Sequence, residues 1–331
     1  GIPTTRSLAV TATGEFVMRQ DGPLPGAVLT RVAASHIRVG TFEWAAAAGD
    51  RADLEALVGS TLQRHFPELA GSENPALALL ESVIGRQAAL IARWMGVGFI
   101  HGVMNTDNMA LSGETIDYGP CAFMDAYDPA TVFSSIDHGG RYAYGNQPAI
   151  AQWNLARLAE AMLPLLDIEH VGNVDRAVER AKASLDRFPG LFEQHWLDGM
   201  RAKLGLLTQE EGDQSLVAEL LAGMQRRSAD FTNTFRSLTS GRLVEDAAAD
   251  PEVEAWHRRL VARRGRQPYS SSEVEALMRR HNPAVIPRNY HVEEALEAAT
   301  SAGDFSVMER LLDVLATPYD HTRDDAAFRA P

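Results

Sequence analysis

The stretch that most constrains the fold runs from residue 74 to residue 119, where a long helical pattern passes into very short apolar runs. Apolar residues at helical spacing between 74 and 98 predict one buried helix that ends in a pair of glycines. Short apolar runs then begin at Phe99, Met109 and Thr115, with a Ser-Gly-Glu turn between the last two. We therefore predict a helix, a polar loop and a small hairpin, in that order.

The polar loop carries side chains typical of a nucleotide site. Kinase-like folds write this loop as H-x-D-x-x-x-x-N and place a metal-binding Asp on a D-F-G turn after the hairpin. On that template, His101 occupies the His position, Asn108 the Asn position and Asp117 the Asp of the turn. Val103 stands where a kinase has its catalytic Asp, and it cannot accept a proton. An acid is found instead at Asp107, so the pattern predicts a kinase-like site with a displaced base.

Structural explanations for the same residues stay open. Asp107 and Asn108 can form an Asx turn, and Asp117 can cap the segment that follows it. His101 is predicted to be a buried, hydrogen-bonded strut, and Cys121, the only cysteine, to be a packed thiol.

Composition excludes several classes of protein. The 331-residue chain has a formal net charge of -13, which argues against nucleic acid as a partner. One cysteine excludes an intrachain disulfide framework and fits a bacterial cytoplasm. We find no signal peptide and no apolar run near the roughly 20 residues of a membrane span, so no membrane is expected.

The start of the chain is predicted to be strands. Alternating residues predict three of them, at 7–11, 15–19 and 27–32, with a Pro/Gly-rich turn before the third. Lys182 and Lys203 are the only lysines, so the early phosphate-binding lysine of a kinase-like small lobe is absent. We expect the chain to be a C-terminal portion whose partner is the missing N-terminal lobe of the same protein.

The rest of the chain is predicted to be helical. A helix is expected over 147–166, and the helices after it are expected at 174–204, 209–227, 252–264, 272–281, 292–299 and 307–315, with residues 231–241 among the breaks. A basic run of five arginines is expected to be a solvated helix face or a protein contact: Arg258, Arg259, Arg263, Arg264 and Arg266. The predicted fold class is α+β, mostly α: a protein-kinase-like fold with a remnant of the small β lobe at 1–42, a helical large lobe with the active site at 43–170, and a helical extension at 171–331.

Six segments together resemble the selenoprotein O family of protein adenylyltransferases, which derive from pseudokinases. They are 1–6 (GIPTTR), 35–43 (SHIRVGTFE), 101–109 (HGVMNTDNM), 117–125 (DYGPCAFMD), 140–148 (GRYAYGNQP) and 282–290 (NPAVIPRNY). The segments follow the family's order over nearly the whole chain, so the resemblance is more specific than any one motif. It implies transfer of AMP from ATP, or of UMP from UTP, to Ser, Thr or Tyr hydroxyls of target proteins, with the nucleotide reversed relative to a kinase.

The resemblance and the kinase template together assign roles to five residues. Arg31 and Arg38 match arginines that bind the γ-phosphate in this family. Asn108 and Asp117 are expected to hold Mg²⁺ or Mn²⁺ against the phosphates, which makes Asp117 part of the nucleotide site as well. Asp107 is expected to orient or deprotonate the incoming hydroxyl.

Two other functions remain open on the sequence. Val103 and the absent lysine favour a catalytically silent pseudokinase or binding scaffold. A small-molecule phosphotransferase shares the spacing of the His and the Asn, although Val103 counts against it.

Overall fold

The computed structural model describes residues 1–19, 22–167, 173–248, 250–323 and 325–330. This part of the chain is mostly helical and contains two small antiparallel sheets of two strands each. The predicted α+β class with predominant helix is therefore confirmed at this level. The kinase-like arrangement of the elements remains a prediction.

The helices and strands have the following bounds. The strands are β1 (Arg6–Arg19), β2 (Gly22–Val32), β3 (Phe99–Ile100) and β4 (Ala122–Phe123). The helices are α1 (Val39–Ala48), α2 (Arg51–His65), α3 (Pro75–Gly96), α4 (Gln147–Leu166), α5 (Val174–Leu185), α6 (Phe188–Lys203), α7 (Asp213–Arg226), α8 (Phe231–Thr239), α9 (Leu243–Asp246), α10 (Pro251–Arg264), α11 (Ser271–His281), α12 (Asn289–Ala302) and α13 (Ser306–Leu315).

The chain divides into two compact units, each built from separate stretches. The first unit comprises Gly1–Leu90, Met104–Asp117 and Ala151–Pro189, and the second comprises Ile91–Val103, Tyr118–Ile150 and Gly190–Pro331. The predicted domain limits at 1–42, 43–170 and 171–331 remain predictions. All five residues with an expected nucleotide, metal or catalytic role belong to the first unit.

The N-terminal segment forms two long antiparallel strands, so the expectation of three short strands was wrong. β1 pairs with β2 in antiparallel register from Arg6 opposite Val32 to Arg19 opposite Gly22. Gly14, at φ +78°, lies in a register shift within β1 and does not end a strand, because glycine adopts the left-handed backbone that such an irregularity needs. The Pro/Gly-rich stretch expected to be a turn forms the start of β2.

The short runs after residue 108 do not pair with each other, which corrects the predicted hairpin. Ala110 forms an antiparallel bridge with Arg38, and Thr115 forms a parallel bridge with Thr4. Gly113, at φ +76°, makes the turn between them. Runs of two or three residues offer few mutual hydrogen bonds, so each pairs with a segment near the start of the chain.

The helical predictions held for most of the chain, with two exceptions. The single helix expected over 174–204 is interrupted between α5 and α6. The break expected over 231–241 contains α8, whose first turn is capped by Asp230 accepting from the Asn233 N–H at 2.6 Å. Phe231, Phe235 and Leu238 bury one face of this helix, a signal obscured by the polar residues between them.

Helix α3 supplies much of the core and is also long and apolar. By length and composition it is the one described helix that could cross a membrane, although the core helix of a soluble protein meets the same test. Just over half (56%) of its most apolar window is buried inside the protein. Two polar residues on it, Arg86 and Gln87, bind backbone carbonyls of the same unit, as a core helix would.

Candidate active site

The Asp107–Asn108 pair lies on a single 3-10 turn, Thr106–Asn108. The Asn108 side chain is buried, whereas Asp107 is exposed. The chain entering this turn is held from α4, because the buried Asn154 donates from Nδ2 to the Met104 carbonyl at 2.9 Å. The Asp107 side chain is therefore accessible to solvent, whereas the Asn108 side chain lies in the protein interior.

The Asp107 carboxylate lies against the first turn of α1. A Cβ built on Gly40 would stand 2.4 Å from Asp107 Oδ1, closer than real atoms approach, so a side chain at this position would require the carboxylate to move. The approach is fixed by backbone pairing on either side, because Val39 N–H donates to the Met109 carbonyl at 3.0 Å and Leu111 N–H to the Ile37 carbonyl at 3.0 Å. Residues 35–43 and 101–109, two of the segments singled out in the sequence, thus meet here.

Asp117 stands beside one of the predicted phosphate-binding arginines. Arg31 Nη1 lies 3.8 Å from Asp117 Oδ1, although 86 positions separate the two residues. Both side chains are partly open to solvent, 37% and 55% exposed, so the pair adds little stability and each group stays accessible to a ligand. Asp117 has a left-handed backbone, φ +63°, which is uncommon outside glycine and tends to occur at functional turns.

Arg38 lies in the segment between β2 and α1, which pairs with the loop through an isolated bridge to Ala110. It is half-buried and bridges Ala110, and its Nε has no hydrogen-bond partner among the described residues. A buried donor without an acceptor is costly in a folded protein. Such a donor is consistent with a guanidinium that has room for an anionic partner.

The loop between Asn108 and Asp117 is anchored on α3. Gln87 Nε2 donates to the Ala110 carbonyl at 2.7 Å, and Arg86 Nη1 donates to the Ser112 carbonyl at 3.2 Å. On the other side, Glu114 accepts from the Ala34 N–H at 3.0 Å. The loop is therefore tied to a core helix and to the segment after β2.

A buried hydrogen bond supports the segment that carries Arg38. Ser35 Oγ lies 2.6 Å from His65 Nε2 at the end of α2. Burial lowers the pKa of His65, and the charges of Arg86 and Arg64 lower it further. The imidazole is therefore held neutral near pH 7, as a hydrogen-bonded structural group.

The residues present fit a divalent cation that is completed by a nucleotide. Asn108 offers an amide oxygen and Asp117 a carboxylate, both hard donors suited to Mg²⁺ or Mn²⁺. No cluster of three or more His, Cys, Asp or Glu side chains occurs within the described ranges. Mg²⁺ is commonly held by one or two protein oxygens together with substrate phosphates, so a set of two protein donors is compatible with a cation of this kind.

His101 lies in the second unit. It is fully buried, its N–H donates to Gln147 Oε1 at 3.1 Å, and its ring lies 5.4 Å from that of Trp94. The predicted role as a buried strut is confirmed. Burial also raises the pKa of the half-buried Cys121 thiol, in agreement with a packed residue.

Sequence reasoning missed the steric role of Gly40 and the partner of Asp125. No periodicity indicates that Gly40 must lack a side chain; only the structure shows the carboxylate beside it. The sequence predicted no partner for Asp125, which accepts from the buried Arg288 at 2.5 Å.

Comparison with known proteins gives a consistent result. The family model described as protein adenylyltransferase SelO matches residues 1–316. A protein named protein nucleotidyltransferase YdiU from Halalkalibacterium halodurans is 60% identical over 330 residues, covering 99% of this chain and 66% of the relative. Proteins of the same name from Brevibacillus brevis and Rhizobium etli are 59% and 56% identical, over 99% and 100% of this chain. The chain spans about two thirds of the length of these relatives, 66% to 67%.

Proposed function

The chain belongs to the SelO family of protein adenylyltransferases, and from this premise we propose that it carries the catalytic residues for transfer of AMP from ATP to Ser, Thr or Tyr hydroxyls of other proteins. UTP is the alternative nucleotide, with UMP as the transferred group. The activity belongs to the longer polypeptide, in which an N-terminal lobe completes the nucleotide site. The proposed fold is kinase-like, and the proposed location is the bacterial cytoplasm.

The observation that carries this proposal is the contact between Arg31 and Asp117. A predicted phosphate-binding guanidinium and a predicted metal-binding carboxylate lie 3.8 Å apart. Phosphate oxygens and a divalent cation occupy adjacent positions in any bound nucleotide, so their protein partners must also be adjacent. This arrangement is what a site for a metal–nucleotide complex requires.

The proposed chemistry assigns a separate task to each residue. Arg31 and Arg38 bind the terminal phosphates, and Asn108 and Asp117 hold the cation, which supplies positive charge to the phosphate oxygens when bound. Asp107 accepts the proton of the acceptor hydroxyl. A bond forms between the hydroxyl oxygen and the α-phosphorus, the bond from that phosphorus to the bridging oxygen breaks, and pyrophosphate leaves.

A binding scaffold is the second candidate. Val103 stands at the position of a kinase base, and its apolar side chain cannot take a proton. The third and weakest candidate is a small-molecule phosphotransferase, which would move the γ-phosphate.

Labelled nucleotides separate the three functions. The protein at the length of its relatives is incubated with metal and with ATP labelled on the α-phosphate or on the γ-phosphate, together with a bacterial protein extract. We expect label on protein from the α position only. Transfer from the γ position alone would indicate a phosphotransferase, and no transfer from either would leave the scaffold.

Two variants of the same protein test the separate roles proposed for Asp117 and Asp107. Asp117→Ala is expected to abolish transfer and metal-dependent nucleotide binding, whereas Asp107→Asn is expected to abolish transfer while nucleotide binding persists. Binding is measured by calorimetry with a non-hydrolysable nucleotide. Glu55→Gln, an exposed change on α2, serves as the control with unchanged binding and transfer. Normal turnover of Asp117→Ala would refute the metal assignment.

A further inference from the structure

A cavity in the second unit is lined by a guanidinium that has no acidic partner. The cavity measures about 670 Å³ and lies beside α10 and α11. Its lining includes Arg264 at the end of α10, together with Tyr269 and Ser271. None of the residues assigned above to nucleotide, metal or catalysis lines it.

Arg264 differs from the other members of its basic run. Each of the other four has a carboxylate within 4 Å: Arg258 with Glu254, Arg259 with Glu219, Arg263 with Asp213, and Arg266 with Glu210. No such partner of Arg264 exists among the described residues. Four of the five arginines in the run therefore form ion pairs, and Arg264 is the one without a carboxylate partner among the described residues.

The uncompensated charge is also partly removed from water. Arg264 Nε donates to the Leu204 carbonyl at 2.8 Å and Nη2 contacts Met278 Sδ at 3.1 Å, which leaves Nη1 without a partner within the described part of the chain. Burial lowers the pKa of Arg264 to about 10, and its charge in turn helps to lower the pKa of His257. A half-buried cation of this kind is stabilised when an anion supplies the missing charge.

The other groups of the lining suit an oxyanion. Neither the Tyr269 hydroxyl nor the Ser271 hydroxyl has a hydrogen-bond partner among the described residues, and Tyr269 is 41% exposed. The one acid of the lining, Glu275, is neutralised by Arg279, whose Nε and Nη2 donate to it at 2.8 and 2.6 Å. The cavity therefore holds a net positive charge and unused hydroxyl donors.

We propose that this cavity binds a phosphate group, free or esterified to a small molecule, through Arg264 and the hydroxyls of Tyr269 and Ser271. A guanidinium offers parallel N–H donors that match phosphate geometry. The volume falls within the roughly 300–1,000 Å³ typical of small-molecule sites, so an ester larger than inorganic phosphate can be held. The site is independent of the nucleotidyl transfer proposed above.

The test measures binding to the purified protein with two probes, inorganic phosphate and glycerol 3-phosphate, by ³¹P line broadening at constant ionic strength set with chloride. The wild type is expected to bind saturably, and Arg264→Gln at least about tenfold more weakly, because a charge-assisted contact is lost. Arg258→Gln removes an exposed arginine of the same run and is expected to bind like the wild type. Tighter binding of the ester would identify it as the source of the phosphate.

A second variant keeps the proposal open to refutation if Arg264→Gln does not fold. Tyr269→Phe removes one exposed hydroxyl and is expected to weaken binding severalfold without altering thermal unfolding. The proposal is overturned if the wild type shows no saturable binding of either probe. It is equally overturned if Arg264→Gln, folded, or Tyr269→Phe binds both probes like the wild type.

Discussion

At the scale of single residues, the site depends on the absence of a side chain as much as on the side chains present. Gly40 leaves space in the first turn of α1 for the Asp107 carboxylate. Its backbone φ is not in the left-handed region, so a side chain at position 40 would act by steric displacement of Asp107 and not through backbone strain. This makes Gly40 a positioning residue for the proposed base.

Gly40→Ala is predicted to reduce nucleotidyl transfer by about 100-fold, because the new Cβ displaces Asp107 from the acceptor hydroxyl. Nucleotide binding and thermal unfolding are expected to change little. The matched control is Gly59→Ala, an exposed glycine within α2 whose added Cβ meets no atom within 4 Å. It should keep full activity and gain up to about 1 kcal/mol in stability. Equal activity of the two variants would contradict the assignment of Gly40.

Lys203 is a buried amine at the end of α6 with no carboxylate beside it in the described structure. Its Nζ lies 4.1 Å from the centre of the Phe235 ring and 3.5 Å from the His281 carbonyl. Burial lowers its pKa from 10.5 to about 7. Lys203 binds its proton more tightly in the unfolded chain than in the folded protein. The free energy of unfolding is therefore highest above pH 10.5 and decreases as the pH falls from 10.5 towards 7.

Lys203→Met is therefore predicted to raise the free energy of unfolding at pH 7 by an amount on the order of a few kcal/mol, and to flatten its rise between pH 7 and 10. Urea unfolding across this range measures the effect. Lys182→Met removes the only other lysine, which is exposed, and should leave the pH profile unchanged. If the free energy of unfolding of Lys203→Met rose with pH in parallel with that of the wild type, burial would not lower the pKa of this amine.

At the scale of elements, α3 does more than fill the core. Arg86 and Gln87 lie on the helix where it faces the loop between Asn108 and Asp117, and each binds a carbonyl of that loop. The helix thereby anchors the loop that connects two proposed metal ligands. The polar side chains of Arg86 and Gln87 would be unfavourable in a helix that faces lipid; here they bind the loop.

Gln87→Leu is predicted to lower the free energy of unfolding by about 1–3 kcal/mol, because the donor to the Ala110 carbonyl is lost inside the protein. Transfer activity is expected to fall further than stability alone explains, since the loop loses an anchor. Arg93→Gln, an exposed change on the same helix, is the control. Chemical unfolding measures the stability, and transfer from labelled ATP measures the activity. If Gln87→Leu changed neither, Gln87 would not anchor the loop.

At the scale of the whole molecule, a buried arginine joins distant parts of the second unit. Arg288 donates from Nη1 to Asp125 and Asp230 and from Nη2 to the Arg329 carbonyl at 3.1 Å. Burial alone would lower the pKa of Arg288, but the hydrogen bonds to Asp230 and Asp125 raise it. Asp230 also caps α8, so one ion cluster ties a helix start, the loop after β4 and the end of the chain.

Arg288→Met is predicted to cost about 3–5 kcal/mol of unfolding free energy, because the side chains of Asp230 and Asp125, 12% and 35% exposed, lose the buried cation that neutralises them. Thermal or urea unfolding measures the loss. Arg242→Met removes an arginine that is 52% exposed and only loosely paired with Asp246, and should change stability by less than about 1 kcal/mol. If both variants lost a similar amount of unfolding free energy, the ion cluster around Arg288 would contribute no more to stability than an exposed ion pair.

Much of the helical structure followed from the sequence because helix formation is local. The apolar spacing of α3 and α4 predicted both helices to within a residue or two at each end. The family was also evident from the sequence, since six separate motifs in order leave few alternatives. Helix α8 was missed because polar residues between Phe231, Phe235 and Leu238 mask its apolar face.

The sequence by itself determined most of the helices, the family and the kinds of residue at the site. Only the tertiary structure decided that Ala110 pairs with Arg38, that Asp107 rests on Gly40 and that Arg288 binds Asp125. The physical reason is that a helix is specified by neighbours three and four positions apart, whereas short strands and ion pairs can choose among many distant partners. That choice is made by the packing of the whole unit, which no local pattern encodes.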